Sequence, residues 1–179
     1  DSGGTTQPPK EDEVLKKFTF ESTTEGFQNA GMWQAEFGTP DVEWSNDLGD
    51  GALKANVVFK GDQSWSEIKL KNTNVPELEK ANNISYELFF DLSAEGLDKN
   101  MNKAIDPHLG VEGDIKIGQG FDKKTLSEFE KVTLGGKEYA KYKVEIIVEE
   151  GKLDGKQELW IMVVCSNLPY TGPIYIDNV

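Results

Sequence analysis

Most apolar positions along this chain recur at every second residue. Between Leu53 and Phe59 the apolar side chains fall on odd positions, and Lys54 and Asn56 lie between them. The same alternation occurs in three further runs, residues 17–21, 86–92 and 142–148. Since successive side chains of a strand point to opposite faces, each run predicts a β-strand with one apolar face. Residues 159–165 are apolar on both faces, which is typical of a strand that is covered on both sides.

Short turn segments separate these runs. They contain glycine and lie at residues 49–51, 60–62, 135–137, 154–155 and 171–173. Such residues favour the tight turns that join antiparallel strands. Only residues 75–80 and 123–130 have a pattern compatible with short helices. Many strands at regular spacing, without an internal repeat, predict an all-β fold, a β-sandwich of jelly-roll type.

The first residues differ in composition from the rest of the chain. The opening segment, DSGGTTQPPK, is small, polar and proline-containing, so it offers little apolar surface to bury. We therefore expect residues 1–15 to be a linker or N-terminal extension and residues 16–179 to form the folded module. A chain of 179 residues is long enough for one domain of good size and short for two.

The charge of the chain argues against several classes of partner. It carries 32 acidic and 19 basic residues, all of the latter lysines, for a formal net charge of -13. Nucleic acids and anionic membrane surfaces would repel such a chain, so we expect neither as a partner. No apolar stretch approaches the roughly 20 residues that a membrane-spanning helix needs. The single cysteine, Cys165, excludes an intrachain disulfide and a thiolate zinc cluster.

Catalytic constellations find little support in the sequence. His108 is the only histidine and no GxSxG-type elbow accompanies it, so a serine triad is not expected. We interpret His108 as an exposed or locally bonded loop residue, with a sugar contact as the alternative. A glycosidase needs two carboxylates roughly 5 to 10 Å apart. The acids on predicted strands that could form such a pair are Glu36, Glu43, Glu67, Glu87, Asp91 and Glu145.

Tryptophans on polar strand faces indicate polysaccharide binding instead. Aromatic rings stack on the apolar faces of pyranose rings, and amide, carboxylate and ammonium groups around them bind the hydroxyls. Trp65 is the best candidate, because alternation places it beside Glu67 and Lys69 and away from the apolar face of its strand. Trp160 lies in the run that is apolar on both faces, so it is either a second stacking platform or part of the core. Hydrolysis and a structural sandwich that binds no glycan remain the alternatives.

Trp33 and Trp44 lie in a longer ordered pattern, and for both rings packing is the favoured role. The pattern comprises residues 31–44 (GMWQAEFGTPDVEW), 49–56, 64–67, 135–139 and 172–179. These blocks resemble the mannan-binding carbohydrate-binding modules of family 27, which occur in bacterial β-mannanases, and the likeness runs from about Phe18 to Val179. It implies a non-catalytic β-jelly roll whose concave sheet binds single chains of β-1,4-mannan or galactomannan.

The resemblance also implies a role and a set of contacts. The module would be secreted, and it would hold an attached mannanase near insoluble substrate; we expect it to be a monomer. Trp65 matches a solvent-facing tryptophan of the family. Relatives carry further tryptophans near positions that are Gln28 and Asp114 here. Those two side chains would then supply hydrogen bonds, with Trp160 as a second platform.

Related jelly-roll modules hold a structural calcium ion between the first strand, the loop that follows and the last strand. Here that site would draw on Glu21, on Asp47 and Asp50 in a glycine loop, and on Asp177 in the last strand. Carboxylate and backbone carbonyl oxygens are the ligands that calcium prefers. The alternative is that these residues are solvated turn acids.

Overall fold

The structure, a computed structural model, describes residues 14–95, 97, 103–111, 114–116, 124–148 and 151–179. Within these ranges the strands are β1 (Gln28–Trp33), β2 (Glu36–Ser45), β3 (Ala52–Lys60), β4 (Ser66–Asn72), β5 (Asn83–Asp91), β6 (Ala104–Val111), β7 (Asp114–Lys116), β8 (Lys124–Thr125), β9 (Glu130–Leu134), β10 (Lys137–Ile147), β11 (Leu159–Cys165) and β12 (Pro169–Asp177). Two short 3-10 helices, Pro76–Lys80 and Leu126–Glu128, lie in the segments where helical pieces were expected. In this part of the chain no helix is long and apolar enough to cross a membrane.

The strands form two antiparallel sheets. Sheet A has the order β1-β4-β11-β6-β7, with β8 paired to β6, and sheet B has the order β2-β3-β12-β5-β10-β9. Neighbours such as β4 and β11 are far apart in sequence, so long-range pairing determines which side chains share a face. The predicted all-β sandwich is confirmed.

The core lies between the sheets and follows the alternation of the sequence. The inward residues of β3 are all buried, namely Leu53, Ala55, Val57 and Phe59. From sheet A, Ile68 and Leu70 of β4 and Ile161 of β11 enter the same cluster. Burying such aliphatic side chains contributes on the order of 1.5 to 3 kcal/mol each. The opposite face of sheet A therefore points away from the core.

The segment around Phe18 is hydrogen-bonded to the last residue of the chain, but residues 17–21 do not form the predicted strand. Phe18 and Val179 exchange backbone hydrogen bonds of 2.9 and 3.2 Å. Phe20 has a left-handed φ of 52°, and its amide donates to the Glu25 carboxylate at 2.8 Å. The chain turns there, so the alternation in residues 17–21 reflects buried phenylalanines on an irregular segment. The strand prediction for these residues was wrong.

Candidate functional site

The outward face of sheet A carries most of the polar residues that the sequence singled out. Because Ile68 and Leu70 of β4 point into the core, Glu67, Lys69 and Lys71 point outward. This parity places both charge signs on a sheet whose other face is apolar. It agrees with the alternation that the sequence indicated around Trp65.

Strand register places residues from two other strands on the same face. In β1, Gln28 lies opposite Lys71 and Trp33 lies opposite Glu67. In β11, on the other side of β4, Trp160 also lies opposite Lys71. We call this surface the aromatic face and define it by Gln28, Trp33, Trp65, Glu67, Lys69, Lys71 and Trp160.

Trp33 and Trp44 have different roles, although the sequence favoured packing for both. Trp33 ends the edge strand β1 and is 57% exposed, so the packing prediction for this ring was wrong. Trp44 is half-buried against the main core, and its Nε1–H donates to the carbonyl oxygen of Phe20 at 2.6 Å. Packing is therefore confirmed for Trp44. The exposed Trp33 ring, opposite Glu67 on the neighbouring strand, is available for contact with a ligand.

Trp65 lies immediately before β4 and is 41% exposed. Its ring meets the ring of His108 edge to face, with centroids 5.9 Å apart and planes at 88°. His108 belongs to β6, lies opposite Met162 of β11, and is only 4% exposed. The interpretation of His108 as an exposed or locally bonded loop residue was therefore wrong. It is a buried strand residue whose ring lies nearly perpendicular to that of Trp65.

Trp160 lies on the aromatic face and is held from two sides. Its Nε1–H donates to the carboxylate of Glu158 at 2.5 Å. The ammonium group of Lys71 lies over its ring, 5.5 Å from the centroid. The sequence left open which face of β11 enters the core, and the structure places Leu159 and Ile161 there. Trp160 is thus half-buried on the outward side, under a lysine.

The other predicted sugar contacts occupy different parts of sheet A. Glu67 is 8% exposed, and its carboxylate lies 3.5 Å from the Lys69 ammonium. Gln28 is exposed at the start of edge strand β1. Asp114 belongs to β7 at the opposite edge of the sheet, where it pairs with Val111. The structure therefore gathers five of the six predicted residues on the aromatic face and leaves Asp114 in the far edge strand.

The acids that could have formed a catalytic pair are divided between the sheets. Glu67 alone among them belongs to sheet A. The others lie in strands of sheet B: Glu36, Glu43, Glu87, Asp91 and Glu145. Glycoside hydrolysis needs two carboxylates that face each other across the substrate. Of the six candidate acids, the aromatic face carries only Glu67.

Asp47 accepts hydrogen bonds from two side chains of the protein. Its Oδ2 accepts hydrogen bonds from the Lys54 ammonium at 2.8 Å and from the Tyr175 hydroxyl at 2.7 Å. These two donors hold the pKa of Asp47 down at about 2. Because a lysine already neutralises the carboxylate, the prediction that Asp47 belongs to the calcium site lacks support from its surroundings.

Asp177 has the opposite environment. Burial, together with the nearby carboxylates of Glu87 and Asp50, raises its pKa to about 6. A buried carboxylate among like charges is a donor set that suits a hard cation. Glu21 is exposed in the turn after Phe20. Across the described residues, however, no group of three or more Asp, Glu, His or Cys side chains is arranged to hold a metal, so backbone oxygens would have to contribute.

The loop that carries Asp50 is fixed by a close approach to the N-terminal segment. A Cβ atom at Gly51 would lie 1.7 Å from the carbonyl oxygen of Phe20, so only glycine fits there. Trp44 donates to the same oxygen. The sequence predicted a turn at residues 49–51. In the structure this turn also packs against the segment around Phe20, which precedes β1.

A β-sandwich that presents exposed tryptophans among charged and amide side chains on one sheet has the architecture of a carbohydrate-binding module. The sequence profile described as carbohydrate binding module 27 matches residues 6–179. The chain therefore belongs to family 27 of the carbohydrate-binding modules, which are non-catalytic, and the resemblance seen in the sequence is confirmed.

Solved structures agree with this assignment. TmCBM27, from a study of specific mannan recognition by a carbohydrate-binding module, is 35% identical and covers 91% of this chain and 92% of its own, with a TM-score of 0.78. CBM27-1 of Caldicellulosiruptor saccharolyticus, solved with mannohexaose, is 20% identical, covers 93% and 96%, and has a TM-score of 0.73. A CBM28 module specific for non-crystalline cellulose is 16% identical, covers 96% and 95%, and has a TM-score of 0.68. The last two support the fold alone, and no curated protein matches.

Proposed function

We propose that this chain binds single chains of β-1,4-mannan or galactomannan on its aromatic face. The observation that carries this proposal is the exposure of Trp33 and Trp65 on one sheet face, beside Gln28, Glu67 and Lys69. Support for mannan as the ligand comes from TmCBM27, which recognises mannan and is 35% identical to this chain. The module would be secreted as a monomer and would direct an attached β-mannanase to polysaccharide.

The proposed mechanism combines stacking with charged hydrogen bonds. The rings of Trp33 and Trp65 offer large apolar areas to the C–H faces of sugar rings at a small cost in side-chain entropy. The Glu67 carboxylate accepts hydrogen bonds from hydroxyls, and the Lys69 ammonium donates to them. A sugar whose hydroxyls point elsewhere would leave these groups unmatched, at a cost of about 1 to 3 kcal/mol each. Such a penalty would favour mannose over glucose.

Calorimetric titration with mannohexaose, with cellohexaose as the control ligand, tests this proposal. We expect binding of mannohexaose and a loss of about 2 kcal/mol or more, or at least 30-fold in Kd, for Trp65→Ala. Ile147→Ala is a matched control, because Ile147 is an exposed apolar residue of sheet B and should not affect binding.

Each rival function has its own outcome. Release of reducing sugar from mannan by the isolated chain would indicate a hydrolase. Failure of the wild-type chain to bind either oligosaccharide would indicate a structural domain. Unchanged affinity in Trp65→Ala would contradict the site assignment and leave the family unaffected.

We also propose a structural calcium ion beside Asp177. Asp50 or Glu21 would add a second carboxylate, and backbone carbonyl oxygens would supply the remaining ligands. The support is the burial of Asp177 near the carboxylates of Glu87 and Asp50, whereas Asp47 is already neutralised by Lys54. Calcium should raise Tm and EDTA should lower it. A Tm that is the same in both conditions, with no metal found by elemental analysis, would refute this site.

A further inference from the structure

Lys71 and Trp160 form a unit at one end of the aromatic face. They lie opposite each other on adjacent strands, and the Lys71 ammonium sits 5.5 Å from the centre of the Trp160 ring. The indole is itself fixed by the 2.5 Å hydrogen bond from Nε1 to the Glu158 carboxylate. The order of contacts is therefore carboxylate, indole, ammonium, and it ends on a charged group at the surface.

The environment of Lys71 differs from that of the neighbouring lysine on the same face. The Lys69 ammonium lies 3.5 Å from the Glu67 carboxylate. For Lys71, no carboxylate among the described residues comes within 4.0 Å of the ammonium. The contact with the π-face of Trp160 is made by the positive charge of the Lys71 ammonium. The ring supplies no conventional hydrogen-bond acceptor, so the three N–H groups remain able to donate to other atoms. Lys71 thus combines a fixed position with donors for a hydroxyl oxygen.

We propose that Lys71 donates hydrogen bonds to sugar hydroxyls and that Trp160 and Glu158 are positioning residues for it. This inference rests on the proposed function, and it assigns Trp160 a role other than that of an open stacking platform. A sugar ring that stacked on the covered side of the indole would first have to displace the ammonium. Because the indole already restrains the lysine chain, binding costs less side-chain entropy than it would with a mobile lysine.

The location of this unit separates it from the Trp65 platform. Lys71 is six residues beyond Trp65 along one chain segment, which corresponds to about 20 Å at the rise of an extended strand. Gln28 of β1 lies opposite Lys71 on the side away from Trp160. An oligosaccharide that extends from Trp65 along β4 would therefore meet an amide, an ammonium and an indole in one row.

Lys71→Met tests the contact, since methionine keeps an unbranched stem and removes the charge. Calorimetry with mannohexaose should show affinity lower by about tenfold, the loss expected for a hydrogen bond to a charged group. Lys71→Arg should recover part of that loss. Lys143→Met is the matched control, because Lys143 is exposed on β10 of sheet B and should bind as the wild type does. Circular dichroism and Tm check that each variant folds.

A double-mutant cycle with Trp160→Phe tests the positioning role. If Trp160 acts through Lys71, the phenyl variant should lose affinity, and the double variant should lose little more than Lys71→Met alone. Additive losses would identify Trp160 as an independent platform and overturn the positioning role. Unchanged or tighter binding by Lys71→Met would overturn the contact itself. Failure of the wild-type chain to bind mannohexaose would instead reject the proposed function.

Discussion

The exposure of Trp33 leads to a prediction that separates binding from stability. A fully exposed tryptophan offers about 250 Å² of surface, and Trp33 is 57% exposed. If a sugar covers one side of the ring, it removes roughly 70 to 80 Å² of that surface from water, worth about 2 kcal/mol at about 25 cal/mol per Å². Trp33→Ala should therefore weaken binding of mannohexaose about 30-fold.

The stability of this variant should scarcely change, because the ring packs against little. Exposed substitutions alter the free energy of unfolding by about 0.5 kcal/mol or less. Trp44→Phe is the complementary variant, since it removes the Nε1–H that donates to Phe20. Leaving a partly buried carbonyl without its donor costs about 2 kcal/mol, which lowers Tm by about 4 to 8 °C in a domain of this size.

Two assays on the same pair of variants decide the matter. Calorimetric titration gives Kd, and thermal unfolding followed by circular dichroism gives Tm. Trp33→Ala should change Kd alone, and Trp44→Phe should change Tm with Kd within about twofold. A Trp33→Ala protein that binds mannohexaose as the wild type does would refute the assignment of this ring to the site.

Three further predictions concern the loop and the last strand. Without calcium at pH 7, Asp177→Asn should raise the free energy of unfolding by up to about 3 kcal/mol, because the raised pKa of Asp177 means that its ionisation costs stability above pH 6 and nothing below pH 3.8. With saturating calcium the wild type should instead be the more stable of the two proteins. A Tm series in which calcium leaves the variant more stable than the wild type would contradict this prediction. Asp47→Asn should lower the free energy of unfolding by less than about 1 kcal/mol at neutral pH. The lowered pKa of this half-exposed carboxyl group contributes stability that is lost as pH falls from 3.8 through about 2. The change in Tm on adding calcium should be the same for this variant and the wild type. Gly51→Ala should lower the free energy of unfolding, measured by chemical denaturation, by about 3 kcal/mol or more, because the added Cβ would collide with the Phe20 carbonyl oxygen. A variant as stable as the wild type would disprove that contact.

The sandwich could be predicted because alternation reports burial directly. In β3 the predicted inward residues, Leu53 to Phe59 at every second position, are those that enter the core. The same argument fails at residues 17–21, where Phe18 and Phe20 are also buried. Hydrophobic spacing carries no information on φ, and the turn at Phe20 depends on a carboxylate five residues later.

The site could be predicted only in part, because exposure depends on pairing between distant segments. Parity within β4 identified the face that Glu67 shares with Lys69. The exposure of Trp33 follows from the position of β1 at the edge of sheet A, which local sequence does not reveal. His108 was expected in a loop, yet pairing of β6 with β11 makes it part of a sheet. Asp47 accepts a hydrogen bond from the hydroxyl of Tyr175, which is 128 residues away in sequence.

The distribution of charge favours an uncharged polymer as the ligand. The chain as a whole carries a formal net charge of -13, so we expect it to repel acidic polysaccharides as well as nucleic acids. The aromatic face departs from this excess, because its charged members are Glu67, Lys69 and Lys71. Charges of both signs at short range serve hydrogen bonding to hydroxyls, which both donate and accept, better than they serve attraction to a polyelectrolyte. A neutral glycan is the class of polymer that can use such a face without opposing the field of the protein.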